Sequence, residues 1–281
     1  MTVRTLPKIE AFQAPVAGHL DWDTPVQARE AWHPVRAATE DDRTLNITDE
    51  IGDRGDGRGI TAQWVRGALR RMAKGPVTVN INSTGGDFFA GLAIYNMLRE
   101  HDGEVTTNVL GVAASAASVI AMASDTLRVA KAGFLMIHNA WAVAIGNRHD
   151  MQTTADLLGQ FDEAMAGVYA DRSGIDRKVI AKYMDADTFF SGEKSVELGF
   201  ADALLESDAV KDADEPAAKA AYRRMDLELA KSGMPRAERR ALLSGVLGGT
   251  PGAAPTATPG AGDSGILAAL QGLVSIVSVK G

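Results

Sequence analysis

The chain contains no cysteine. Disulfides, thiolate catalysis and cysteine-ligated zinc or iron–sulfur centres are thereby excluded. Histidine is scarce: His19, His33, His101, His138 and His149 are the five in 281 residues. None stands in an HExxH or another close ligand spacing, so neither a metal site nor any other cofactor is expected. Positive charge is also in short supply, with 29 basic against 36 acidic residues and a formal charge of −7. A nucleic-acid binder carries the opposite bias, so no nucleic-acid partner is expected. No apolar run reaches the roughly 20 residues of a membrane span. The nearest, Val109–Ser124, is uncharged but short, built of small residues and closed by Asp125. It is expected to be a buried helix, with no membrane partner. Residues 1–18 place prolines and charges where an export signal needs an apolar core, so a cytoplasmic protein is expected.

What is present is ordinary globular material, 46% apolar and 23% charged, too rich in core-forming residues for a disordered chain. Strands are expected at Thr44–Ile47, Val77–Ile81, Glu104–Leu110, Thr126–Val129 and Phe134–Ile137, on β-branched content and flanking turn residues. Helices are expected at Ala62–Ala73, Ala90–Arg99, Ala114–Ala123 and Thr153–Arg172, with shorter ones at Ile175–Tyr183 and Glu193–Leu198. The alternation predicts an α/β body whose strands are covered on both faces. The divisions read from composition are a partly ordered lead-in at 1–42, the body at 43–205 and a charged helical extension at 206–247. A Gly/Pro/Ala-rich linker at 248–264 and an apolar tail at 265–281 follow. The RGD triplet in Asp53–Gly59 reads as a turn and nothing more.

Three places carry chemistry. Ile81–Gly86, INSTGG, is a strand feeding a double glycine, whose exposed backbone N–H groups can face a developing negative charge. It has neither a GxGxxG nor a GK[ST] pattern, so it is no phosphate loop. Gly111–Ser118, GVAASAAS, is a strand end followed by a helix of small residues, with Ser115 near the first turn, where free N–H groups and the helix dipole favour an oxyanion. Ser118 lies one turn deeper and is expected to face the core. The GxSxG elbow is absent, since Ala113 and Ala117 hold its glycine positions. Met136–Asn139, MIHN, puts His138 at the end of an apolar strand, a suitable base for a serine proton. A base needs an orienting acid; Asp187, before Phe189–Phe190, is the first choice and Asp185 the second.

The stretches INSTGGDFFAGLAIYNML, GVAASAASVIAMASD, FLMIHNAW and DADTFFSGEKSVELGFAD occur in this order between Asn80 and Asp202. Together they resemble the ClpP-like serine peptidases, and especially the relatives that tailed phages and prophages use as head-maturation proteases. The resemblance extends from about Thr44 to Leu205. It implies a twisted α/β repeat of the crotonase type with a projecting handle helix, matched by Thr153–Arg172, followed here by a flexible C-terminal extension. It also implies a nucleophile at Ser115, a general base at His138, an orienting acid at Asp187 and oxyanion donors at Gly86 and Ala116. An extended peptide would align along Asp87, Phe88 and Phe89.

The expected activity is peptide-bond hydrolysis without a cofactor, on peptide or protein substrates, capsid or scaffold proteins among them, in the host cytoplasm or inside a procapsid. Family members assemble as homo-oligomeric rings of seven. The first 40 residues do not match the family's compact N-terminal loop, which leaves docking to an ATP-driven unfoldase open. Two alternatives stand beside this reading: a crotonase-like acyl-CoA enzyme using the same oxyanion site, and a non-catalytic capsid scaffold. A Ser–Lys dyad through Lys131 is a further variant, with nothing in the sequence to place that amine near Ser115.

Overall fold

The computed structural model describes residues 21–37, 41–53, 59–72, 74–206 and 209–246. The expected linker and tail, and most of the RGD turn, lie outside these. Among the described residues no helix is long and apolar enough to cross a membrane.

The central sheet runs in the order β10 (Ala203–Leu205), β6 (Thr126–Ala130), β5 (Val105–Ala114), β4 (Val77–Ser83) and β3 (Thr44–Ile47), all parallel. β5 is long enough to serve two neighbours along the edge opposite β4. Its first half pairs with β6, and Val112–Ala114 pair with β7 (Phe134–Ile137). β9 (Thr188–Ser191) then runs antiparallel to β7. Parallel strands need crossovers, which α2 (Ala62–Met72), α3 (Phe88–Arg99) and α4 (Ala116–Ala121) supply. Val79, Ile81, Val109, Val129 and Ile120 are completely buried between the layers, which is why the strands read as continuous apolar runs.

The expected elements are present with shifted ends. Val109–Ser124 is not one helix: its first six residues continue β5 to Ala114, and only then does α4 begin. Small residues permit either state, and pairing with β7 favours the strand. α3 starts at Phe88 rather than Ala90 because Asp87 caps it, its carboxylate accepting from Ala90 N at 2.7 Å. The long helix, α5 (Arg148–Ser173), starts five residues before the expected Thr153, on a capping box of Asn147 and Asp150. α6 (Arg177–Asp185) and α7 (Gly192–Glu197) complete the body.

The described residues before and after this body fold back onto it. Before β3 come β1 (Asp21–Trp22), α1 (Val26–Ala31) and β2 (Val35–Ala37). β1 pairs antiparallel with β8 (Ala142–Val143), just beyond His138. β2 pairs with β11 (Val210–Asp212). α8 (Ala217–Lys231) and α9 (Arg236–Val246) follow. Arg239 of α9, 1% exposed, donates to both carboxylate oxygens of Asp23 at 2.7 and 2.8 Å and to Asp226 at 2.9 Å. Arg29 completes the cluster by bonding the same two carboxylates. Burial works against the Arg239 charge, but the two carboxylates outweigh it and raise its pKa.

Candidate active site

The site assembles where β4, β5 and β7 end and β9 begins. Ser115 is the sharp corner between β5 and α4, with φ 55° and ψ −127°. Positive φ costs a non-glycine residue of order 1–3 kcal/mol and persists only when its surroundings enforce it. Here Ser115 N donates to Met136 O at 3.0 Å, and Ser118 Oγ donates to Ser115 O at 2.7 Å. Ser118 is buried and also bonds the hydroxyl of Tyr169 at 2.8 Å. The chain therefore makes a strand–turn–helix elbow without the glycines that usually mark one. Close approach is met instead by Ala116 and by Gly91, where a Cβ would lie 2.9 Å from Ala116 Cβ.

His138 continues β7 and is 6% exposed. Its Nε2 lies 2.7 Å from Ser115 Oγ. Burial lowers its pKa to about 4, against an upward pull from the Asp187 carboxylate. The imidazole is thus neutral near pH 7 and can accept a proton. Asp187 reaches the site through register. Ile137 pairs with Thr188, so the next residues outward on the two strands are His138 and Asp187. Asp187 has φ 47°, a left-handed backbone that aspartate tolerates better than most residues. Among the described residues no hydrogen bond joins its carboxylate to the imidazole, so in this arrangement it acts through its charge. Asp185 is engaged elsewhere, accepting from Asn139 Nδ2 at 2.8 Å. Lys131 lies exposed in the turn before β7, at the opposite end of that strand from His138.

The double glycine sits beside the serine. Gly85 and Gly86 have φ of 92° and 145°. Ile51 holds them from behind: its N donates to Gly85 O at 2.8 Å and its O accepts from Asp87 N at 3.0 Å. A Cβ on Gly86 would lie 2.2 Å from Ile51 O. The lead-in braces the same turn, Trp32 Nε1 donating to Asn82 O at 2.9 Å. The amides of Gly86 and Ala116 donate to no other group among the described residues. Of the three residues expected to align a peptide, Asp87 caps α3, and Phe88 is buried against Phe161 at 4.9 Å between ring centroids. Phe89 alone is exposed, at 40%. The stretch after Gly86 is helical rather than extended.

Sequence reasoning passed over Ile51, whose contacts are long-range and carry no local pattern. It also passed over the turn between α8 and α9 as a neighbour of the site. Among the described residues no group of three or more His, Asp or Glu is placed to hold a metal ion.

The model of the Clp protease family matches residues 27–208. Among curated proteins, the ATP-dependent Clp protease proteolytic subunit of Ligilactobacillus salivarius (strain UCC118) is 30% identical over 168 residues, covering 59% of this chain and 84% of that protein. Proteolytic subunit 1 of Chlamydia muridarum (strain MoPn / Nigg) is 27% identical over 170 residues, covering 59% and 87%. A solved ClpP1 mutant from Listeria monocytogenes superposes with a TM-score of 0.51 at 24% identity, covering 59% of this chain and 92% of that one, and shows the common fold. These matches correct the expectation of a phage head-maturation protease: the similarity is to bacterial Clp proteolytic subunits. The crotonase-like and scaffold alternatives give way to the same result.

Proposed function

We propose, from the premise that the chain belongs to the Clp protease family of serine-type endopeptidases, that Ser115 and His138 form its catalytic pair and Asp187 assists them. The observation that carries this is the 2.7 Å contact between Ser115 Oγ and His138 Nε2, on a backbone corner held at positive φ.

In this reading Ser115 Oγ attacks the scissile carbonyl while His138 Nε2 takes its proton. The N–H groups of Gly86 and Ala116 receive the oxyanion, each contributing roughly 3–4 kcal/mol to the transition state. His138 then protonates the leaving amine, and the acyl-enzyme forms. Water, deprotonated by the same imidazole, releases the acid product and restores the serine. Asp187 stabilises the imidazolium of both steps. Phe89 is the exposed member of the three residues assigned to peptide alignment, so we assign it the contact with substrate. The curated relatives are named as ATP-dependent subunits; carried over, ATP hydrolysis belongs to a partner unfoldase and this chain supplies a homo-oligomeric ring, of seven subunits by the family's pattern. The terminal segments outside residues 27–208 are then additions to the peptidase body.

A fluorophosphonate probe is expected to label Ser115 in the purified full chain, and Ser115→Ala to abolish both labelling and cleavage of a fluorogenic peptide. Unchanged turnover in the variant would refute the assignment.

A further inference from the structure

The double-glycine turn is backed by Ile51, Asp49 and Trp32, and basic side chains of α8 and α9 reach each of these supports. Ile51 bonds Gly85 O and Asp87 N on either side of Gly86. Glu50, the residue before it, is buried, and its stem presses on the same glycine: a Cβ on Gly86 would lie 3.1 Å from Glu50 Cγ. Arg236 of α9 pairs with the Glu50 carboxylate at 2.5 Å, Arg240 approaches it at 3.8 Å, and Arg29 of α1 lies 4.0 Å away. Asp49 supports the turn through its carbonyl, which accepts from Ser83 Oγ at 2.6 Å; that oxygen in turn accepts from Gly85 N at 3.2 Å. Lys219 of α8 pairs with the Asp49 carboxylate at 3.0 Å. Trp32 donates to Asn82 O, and the guanidinium of Arg223, also in α8, stacks on its ring at 4.5 Å.

Fastening the two helices to the body does not require these contacts. Arg239 already does so through Asp23 and Asp226, away from the turn. Arg236 is 5% exposed. A guanidinium and a carboxylate buried together recover their lost hydration only in a close, fixed geometry. Such a pair has little freedom to move, so it fixes Glu50, and Glu50 fixes Ile51 and Gly86. Oxyanion donors act only when held about 2.7–3.1 Å from where the charge develops. A small displacement of the turn therefore affects the rate more than the binding of substrate. Both helices follow residue 208, beyond the stretch matched by the Clp protease family.

We infer that α8 and α9 position the oxyanion turn, with Arg236 and Lys219 as positioning residues that act through Glu50 and Asp49. The inference rests on the assignment of Gly86 as an oxyanion donor and adds the part of the chain that keeps that donor in place.

The test uses the full chain, Arg236→Met, Lys219→Met, a fluorogenic peptide, and the aldehyde and the alcohol of the same peptide sequence. Ser115 Oγ adds to the aldehyde carbon, its proton passes to His138, and the carbonyl oxygen becomes the oxyanion that the turn receives. The alcohol binds as the peptide does and forms no adduct. Arg236→Met is expected to lower kcat at least tenfold with KM nearly unchanged, a part of what losing a whole donor costs. It should weaken the aldehyde by the same factor and leave the alcohol unaffected. Lys219→Met is expected to show the same pattern at a few-fold. Its side chain is 37% exposed, so the fold tolerates the change, and it decides the question where Arg236→Met fails to fold. Each variant is assayed well below its own melting midpoint, which separates positioning from lost stability. A folded deciding variant with wild-type kcat and aldehyde affinity overturns the inference. So does one that weakens aldehyde and alcohol equally and acts through KM. A wild type that cleaves but binds the aldehyde no more tightly than the alcohol defeats the Gly86 assignment, and the inference with it. A wild type that neither takes a fluorophosphonate label nor cleaves defeats the catalytic reading itself.

Discussion

Gly85 packs directly against Ser115: a Cβ on the glycine would lie 2.7 Å from Ser115 Cβ and 2.6 Å from Ala114 O. The turn to which an oxyanion donor is assigned and the corner to which the nucleophile is assigned are therefore fitted to each other with no room for a methyl group. Gly85→Ala also forces a side chain into positive φ. The variant is expected to lose at least 10²-fold in kcat, as expected when reacting groups are displaced by about 1 Å. Peptide hydrolysis beside a thermal melt checks this; full activity would mean that the turn is not part of the site.

Asp187→Asn is expected to cost about 10⁴ in kcat, as in other serine triads, if the carboxylate closes onto the imidazole in the working enzyme. Among the described residues no hydrogen bond joins it to His138, whose pKa its charge pulls upward. A loss below tenfold in single-turnover kinetics would establish that this long-range role is all it has. An equal loss at Asp185, which bonds Asn139, would move the acid.

The pH dependence has a definite sign. His138 titrates near 4 in the folded chain against an ordinary 6.5, so the unfolded state binds its proton more readily. Its contribution to stability is complete above about pH 6.5, is lost as pH falls toward 4, and is gone below that. The total is on the order of 3 kcal/mol. Urea unfolding at pH 7 and pH 4 should show a larger acid loss in the wild type than in His138→Gln. The acid limb of kcat/KM is expected near pH 4; a midpoint between 6 and 7 would show that Asp187 outweighs burial during turnover.

Arg239→Met removes the centre of the cluster that joins the segment around α1 to α8 and α9. It leaves Asp23 and Asp226 with Arg29 alone, and the expected cost is about 3 kcal/mol. The carboxyl of Asp23, pushed up by burial but pulled lower overall by Arg239 and Arg29, should then titrate at higher pH. Denaturant unfolding and NMR titration of Asp23 check the two effects; an unchanged midpoint would mean that the terminal segments are held by other contacts.

Much of this body is legible in the order of its residues. Val77–Ile81 announces a strand by its β-branched residues, and Ala62–Met72 a helix by its repeating apolar face, because both signals involve only near neighbours. Ser115, Gly86 and His138 stand at element ends, where strand-to-loop junctions expose backbone and side chain together. The short strands β9 and β10 went unread because four and three residues are too few to show a period.

Chemistry local to each segment thus determined the α/β body, the serine at its corner and the histidine at a strand end. Tertiary structure decided what those residues face. The 2.7 Å approach of His138 to Ser115, the left-handed turn at Asp187 and the brace from Ile51 to the glycines each depend on strands that meet only after folding. Asp23 and Arg239 are 216 positions apart. Their pairing carries no periodic signal, since a buried charge is tolerated only by the partner that the folded chain brings to it.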